Sequence, residues 1–124
     1  MGDLTGFTLR YAGTSAVRPI ENAQTGTVVL GWHPAAATGG WARPISRNGR
    51  IVAAGLELDA RQLGARELRF GPGGFGAILL HELGHVFGLG HPTSGWGIMR
   101  SGPLGLLDAG DLEGFAAVDA RHGC

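Results

Sequence analysis

Residues 81–91 read His-Glu-Leu-Gly-His-Val-Phe-Gly-Leu-Gly-His, and this spacing constrains the chain more than any other feature. On a helix, His81 and His85 lie one turn apart on the same face, so both imidazoles can reach one metal ion. Gly88 follows where the helix must end if the chain is to turn back. Glycine adopts the left-handed conformation of such a turn without a steric penalty. The turn brings His91 round as a third nitrogen ligand.

The neighbouring residue Glu82 adds chemistry to this pattern. It lies about 100° round the helix from His81, where a carboxylate can reach a water on the metal without ligating the metal. Three histidines leave a fourth coordination position open, which is typical of a catalytic zinc ion. A lone His-Glu-x-x-His can occur by chance in a helix. The glycine and third histidine at fixed offsets favour a metal site over that alternative.

These eleven residues resemble the zinc signature of the metzincin metallopeptidases. That family has a methionine turn after the third histidine, and here Met99 lies eight residues after His91. The spacing to the methionine is similar to that of the matrixin branch, whereas Pro92 resembles the serralysin branch. Serralysins and astacins carry a tyrosine ligand two residues past the methionine. This chain has Ser101 there, so no tyrosine ligand is expected.

The resemblance implies a secreted, extracellular zinc endopeptidase that holds one catalytic Zn²⁺ and takes peptide or protein substrates. Zinc would activate a water for attack on the peptide carbonyl, with Glu82 as general base and then as proton donor to the leaving nitrogen. Met99 is expected to pack beneath the histidines as an apolar floor and not to ligate. In such enzymes an extended substrate pairs with an edge strand, and residues 50–59 are the candidate.

The resemblance also suggests a specificity pocket beside the metal. Ala77 is small and lies one helical turn before His81, which would leave depth. Trp96 and Arg100 belong to the segment expected to wall the pocket. Ordinary packing for Trp96 and a solvated surface position for Arg100 are the alternatives.

Two other functions stay open at this point. The chain could bind zinc without cutting, as a binding module, although the presence of Glu82 argues against it. It could also be an incomplete domain, because family members usually begin with a further strand and a long helix. Here only residues 1–6 precede the first predicted strand. The resemblance covers about residues 5–120.

The resemblance implies an α+β fold of the metzincin type: a twisted mixed sheet, an active-site helix, then a small C-terminal subdomain with the methionine turn and a final helix. Residues 1–124 are predicted to form one domain, with sheet and active-site helix over about 5–90 and the subdomain over 91–124. Strands are predicted at 7–11, 27–32 and 50–59, a loop at 34–49, and helices at 75–87 and from the Asp108 cap to about 121.

Composition limits the partners. The chain has ten basic and ten acidic residues, which gives no support for nucleic acid or an anionic membrane surface. No apolar run approaches the ~18–20 residues needed to span a membrane. Cys124 is the only cysteine, so an internal disulfide is excluded. His33 is expected to be an ordinary loop residue, and nothing in the sequence sets the oligomeric state.

Overall fold

The computed structural model describes residues 7–19, 24–33, 39–62, 74–95, 97–101 and 107–118. Within these ranges the chain forms three strands, one 3-10 turn and two α-helices. The strands are β1 (Val28–His33), β2 (Gly40–Arg47) and β3 (Arg50–Asp59), and the 3-10 turn spans Ala60–Gln62. The helices are α1 (Phe75–Val86) and α2 (Ala109–Ala117). Trp96 and Cys124, both considered above, lie outside the described residues.

The three strands form one mixed sheet in the order β1-β3-β2. β1 runs parallel to β3, with Leu30 opposite Leu56, and β2 runs antiparallel to β3, with Ala42 also opposite Leu56. The predicted α+β class and the mixed sheet are therefore confirmed. β3 lies in the middle of the sheet, so the prediction that residues 50–59 form an edge for substrate is wrong.

The prediction of a loop over 34–49 is also wrong, because β2 occupies Gly40–Arg47. Asn48 and Gly49 connect β2 to β3, and their φ angles of 52° and 75° are both positive. Two consecutive residues with positive φ are typical of the tight turn that joins antiparallel strands. Pairing with β3 then holds a segment whose own composition favours irregular structure.

Two other predicted elements differ from the structure. Residues 7–11 alternate in polarity but form no strand, and Tyr11 is 84% exposed. Alternation predicts a strand only where a partner strand is available, and here Phe7 instead stacks on the ring of Phe87 at 5.2 Å between centroids. The last helix ends at Ala117, not near residue 121, because the backbone of Val118 leaves helical geometry.

Helix α1 separates two hydrophobic clusters. On one side it packs against the face of the sheet, on the other against the segment that follows the histidines. The sheet-side cluster consists of Ala54, Leu56, Leu58, Phe75, Ile78 and Val86. The opposite cluster consists of Ala77, Phe87, Ile98, Met99, Phe115 and Val118, and Leu83 of α1 packs against both. Both sides of the helix that carries the histidines are thus held by packing.

Candidate metal centre

The histidine helix ends in a glycine turn that brings the third histidine back. Phe87 caps α1, and Gly88 follows it with φ of +95°. The Gly88 N–H donates to His85 O at 3.0 Å, and the Leu89 N–H donates to Gly84 O at 2.9 Å. This pair of bonds is the Schellman arrangement, which satisfies the last carbonyls of a helix while the chain reverses.

The turn brings three imidazoles together. The ring nitrogens of His81, His85 and His91 that face one another all lie within 4.8 Å. His81 Nε2 is 3.1 Å from His85 Nε2 and 3.1 Å from His91 Nε2. Zinc–nitrogen bonds of about 2.0–2.1 Å in tetrahedral geometry separate two ligand nitrogens by roughly 3.3 Å. The spacing of the three histidines therefore fits a metal ion of this size.

Backbone carbonyls fix which nitrogen of two histidines carries the proton. His81 Nδ1 lies 2.7 Å from the carbonyl oxygen of Ile98, and His85 Nδ1 lies 2.7 Å from that of Leu89. A carbonyl oxygen only accepts, so both Nδ1 atoms must be donors. In neutral imidazoles both Nε2 atoms then carry lone pairs, and these face each other. Two lone pairs at this distance repel each other. A metal ion bound by both Nε2 atoms would remove this repulsion, so the arrangement of the two imidazoles fits a metal site.

The surroundings of His81, the most buried of the three histidines, lower its pKa. Burial is the largest effect and lowers the pKa of His81, while the hydrogen bond to Ile98 opposes it. The neighbouring His85 and His91 lower the pKa further. Metal ions bind the neutral form of histidine, so this shift favours metal over a proton at the site.

Glu82 follows the first histidine on α1 and is only 6% exposed. Burial raises the pKa of Glu82 to about 7, against a hydrogen bond from the backbone of Ala42 that lowers it. Ala42 belongs to β2, so the carboxyl group lies beside this strand. A carboxyl group with a pKa near neutrality can both accept and return a proton.

Met99 lies in the cluster opposite the sheet and is 3% exposed. A Cβ added to Gly84, which stands between the two helical histidines, would collide with the Met99 sulfur. The methionine therefore packs directly on the backbone of α1, and the glycine there makes this approach possible.

Of the residues predicted to form the specificity pocket, Ala77 and Arg100 lie in the described part of the chain. Ala77 is fully buried in the cluster that contains Met99, and Arg100 is half-buried. A cavity of about 270 Å³ opens beside His91. Its described lining residues include Pro92 and Met99 but neither Ala77 nor Arg100. The pocket roles of these two residues stay predictions, and Trp96 lies outside the described part of the chain.

Sequence reasoning missed several groups that shape the site. The carbonyls of Ile98 and Leu89 orient two imidazoles, and Ala42 contacts the general-base candidate. Asp111 was also missed: its buried carboxylate accepts hydrogen bonds from the methionine turn. Only Asp111 left a signal, because an acidic residue three positions after the Asp108 cap is a helix-start pattern.

Comparisons with known proteins identify no relative of this chain. No family model matches the chain, no curated protein matches it, and no solved structure matches it. Within the described residues, neither α1 nor α2 is long and apolar enough to cross a bilayer.

Proposed function

We propose that this protein is a zinc-dependent endopeptidase of the metzincin type. The observation that carries the proposal is the pair of carbonyl-fixed histidines, His81 and His85, whose bare Nε2 atoms converge with His91. Three imidazole ligands with an open fourth position favour zinc, and they leave room for a reactant. The buried carboxyl group of Glu82 next to His81 supports a catalytic role over a structural one.

The proposed reaction is hydrolysis of a peptide bond. A zinc ion held by the three histidines would supply Lewis acidity, polarising a carbonyl group and lowering the pKa of water. Glu82 takes the proton of the attacking water on its carboxylate and returns it to the leaving nitrogen. Its pKa of about 7 results from burial, and a cation at the histidines would lower that pKa by Coulomb attraction. Glu82 would then be ionised and able to act as a base at neutral pH.

The strand proposed to align the substrate is β2, in place of the residues 50–59 expected from the sequence. β3 is paired on both sides, whereas β2 pairs with β3 on one side only within the described residues. The contact between Ala42 and Glu82 places β2 next to the proton-transfer group. An extended peptide added to β2 would receive backbone hydrogen bonds and lie beside the metal centre.

The deciding experiment measures zinc content of the purified chain and cleavage of a denatured protein, for wild type and Glu82→Gln. We expect one zinc per chain in both, and cleavage by wild type alone. Glu113→Gln, on the exposed side of α2, is the matched control and should cut normally. Chelation should stop cleavage, and added zinc should restore it.

The other outcomes separate the alternatives. If the wild type binds zinc but does not cleave the denatured protein, the peptidase is rejected and the alternative of a metal-binding module remains. Cleavage retained by Glu82→Gln would reject this residue as the base. Failure of the wild type to retain zinc would reject the metal centre itself.

A further inference from the structure

We propose that Asp111 is a positioning residue for the metal centre, acting through the methionine turn on the imidazole of His81. The proposal rests on the zinc site described above. It assigns a role to a carboxylate that lies on α2, outside the histidine motif.

Asp111 is buried, with 4% of its surface exposed. Its carboxylate accepts three backbone hydrogen bonds. The Ile98 N–H donates to Oδ2 at 2.6 Å and the Met99 N–H donates to Oδ1 at 3.1 Å. The Asp108 N–H donates to Oδ2 at 3.0 Å. Hydrogen bonds to a charged acceptor are about twice as strong as neutral ones, so the carboxylate holds the turn firmly.

One peptide group connects this carboxylate to the metal ligand. The carbonyl of Ile98 and the N–H of Met99 belong to the same planar unit. The N–H end is bound by Asp111, and the carbonyl end accepts from His81 Nδ1 at 2.7 Å. Because the peptide bond does not rotate, fixing one end fixes the direction of the other. Polarisation of the N–H by a carboxylate also makes the carbonyl a better acceptor.

The local sequence is suited to this contact. A Cβ added to Gly97 would collide with the carboxylates of both Asp111 and Asp108. The backbone before the methionine thus approaches α2 as closely as a glycine permits.

Helix capping alone does not account for these contacts. In the capping box, Asp108 accepts from the Asp111 N–H at 2.9 Å, and Asp111 accepts in return from the Asp108 N–H. That exchange completes the cap. The bonds to Ile98 and Met99 lie outside it and join α2 to the turn.

The test compares zinc affinity of Asp111→Asn and Asp108→Ala with wild type, by competition with a chromophoric chelator. Asparagine keeps the shape of aspartate but places a donor against at least one backbone N–H. Alanine at 108 removes the cap without removing the acceptors of the turn. Loss of an outer-shell partner typically weakens metal binding 10–100-fold. We expect at least a tenfold loss for Asp111→Asn, and a change within about twofold for Asp108→Ala.

A second readout is the visible spectrum of the Co²⁺-substituted protein. We expect Asp111→Asn to alter the ligand-field bands, because His81 is no longer held in one orientation, and Asp108→Ala to leave them unchanged. Unchanged affinity and spectrum in Asp111→Asn, or equal losses in both variants, would overturn the proposal.

Folding is checked by circular dichroism. If Asp111→Asn does not fold, Gly97→Ala takes its place, since it displaces the turn while keeping the carboxylate; it should show the same loss. If neither variant folds, the contact serves the fold as a whole and the positioning role is rejected. A wild type that binds zinc without cutting peptides would reject the peptidase only and leave this comparison valid.

Discussion

The packing of Met99 on Gly84 gives a prediction with a defined sign. In most helices, replacing an interior glycine by alanine stabilises the protein by up to about 1 kcal/mol, because glycine loses more backbone entropy on folding. At position 84 the added methyl would collide with the Met99 sulfur and terminal methyl. Met99 also lines the cavity beside His91, but it is buried against Ala77, Ile98 and Phe115, so moving it away from position 84 breaks those contacts.

Inserting a methyl into a packed core typically costs about 1–3 kcal/mol. Set against the gain in helix propensity, Gly84→Ala should lower the free energy of unfolding by roughly 0–2 kcal/mol. Gly114, inside α2, is a matched control. A Cβ there would lie 3.4 and 3.5 Å from the two terminal methyls of Leu89, which is ordinary contact. Gly114→Ala should therefore stabilise the protein by up to about 1 kcal/mol.

The difference between the two variants isolates the collision, because the propensity gain is common to both. It should amount to about 1–3 kcal/mol in urea unfolding of the metal-free proteins, followed by circular dichroism. Equal stability of Gly84→Ala and Gly114→Ala would show that Met99 moves aside freely. The reasoning that this methionine is tightly packed on the helix would then be refuted.

Two further predictions concern the site itself. In metal-free protein, the pKa of Glu82 is raised from its ordinary value of 4.5 to about 7, so its ionisation destabilises the fold as pH rises through this range. In urea unfolding, the stability of Glu82→Gln minus that of wild type should therefore increase as the pH is raised from 4.5 to 8. A stability difference that stays constant over this range would contradict the burial of the carboxylate. His91→Ala should weaken zinc binding strongly in a chelator competition, while His33→Ala, at the end of β1, should not. Equal affinities for these two variants would remove His91 from the ligand set.

Local patterns predicted the helix and the clustering of the three histidines correctly. The positions of His81, His85 and Gly88 are set by the period of a helix and by the geometry of its end, both of which depend on near neighbours in sequence. These features needed no knowledge of which elements pack together.

The sheet was predicted less well, because strand pairing depends on distant residues. β2 has a composition typical of a loop, and it is held by its register with β3. A signal for it was present in Asn48-Gly49, a dipeptide strongly preferred in tight hairpins. Without β2, the sequence predicts residues 50–59 as the edge strand, whereas the strand beside Glu82 in the structure is β2.

The orientation of the ligands lay beyond local patterns as well. Asp111 is 13 residues from Ile98, and Ile98 is 17 from His81. No periodicity relates these positions. The contacts follow from packing of α2 and the methionine turn against α1, which a sequence pattern does not encode.

The candidate metal centre therefore includes groups that lie outside the histidine motif. The motif supplies three nitrogen donors, but an imidazole binds metal only through the nitrogen that lacks a proton. That choice is made for His85 by the carbonyl of Leu89, held in the turn that ends α1, and for His81 by the carbonyl of Ile98, held by Asp111. Two of the three histidines thus lie on α1 and the third follows it, and backbone carbonyls of the chain after α1 select the nitrogen that His81 and His85 turn towards His91.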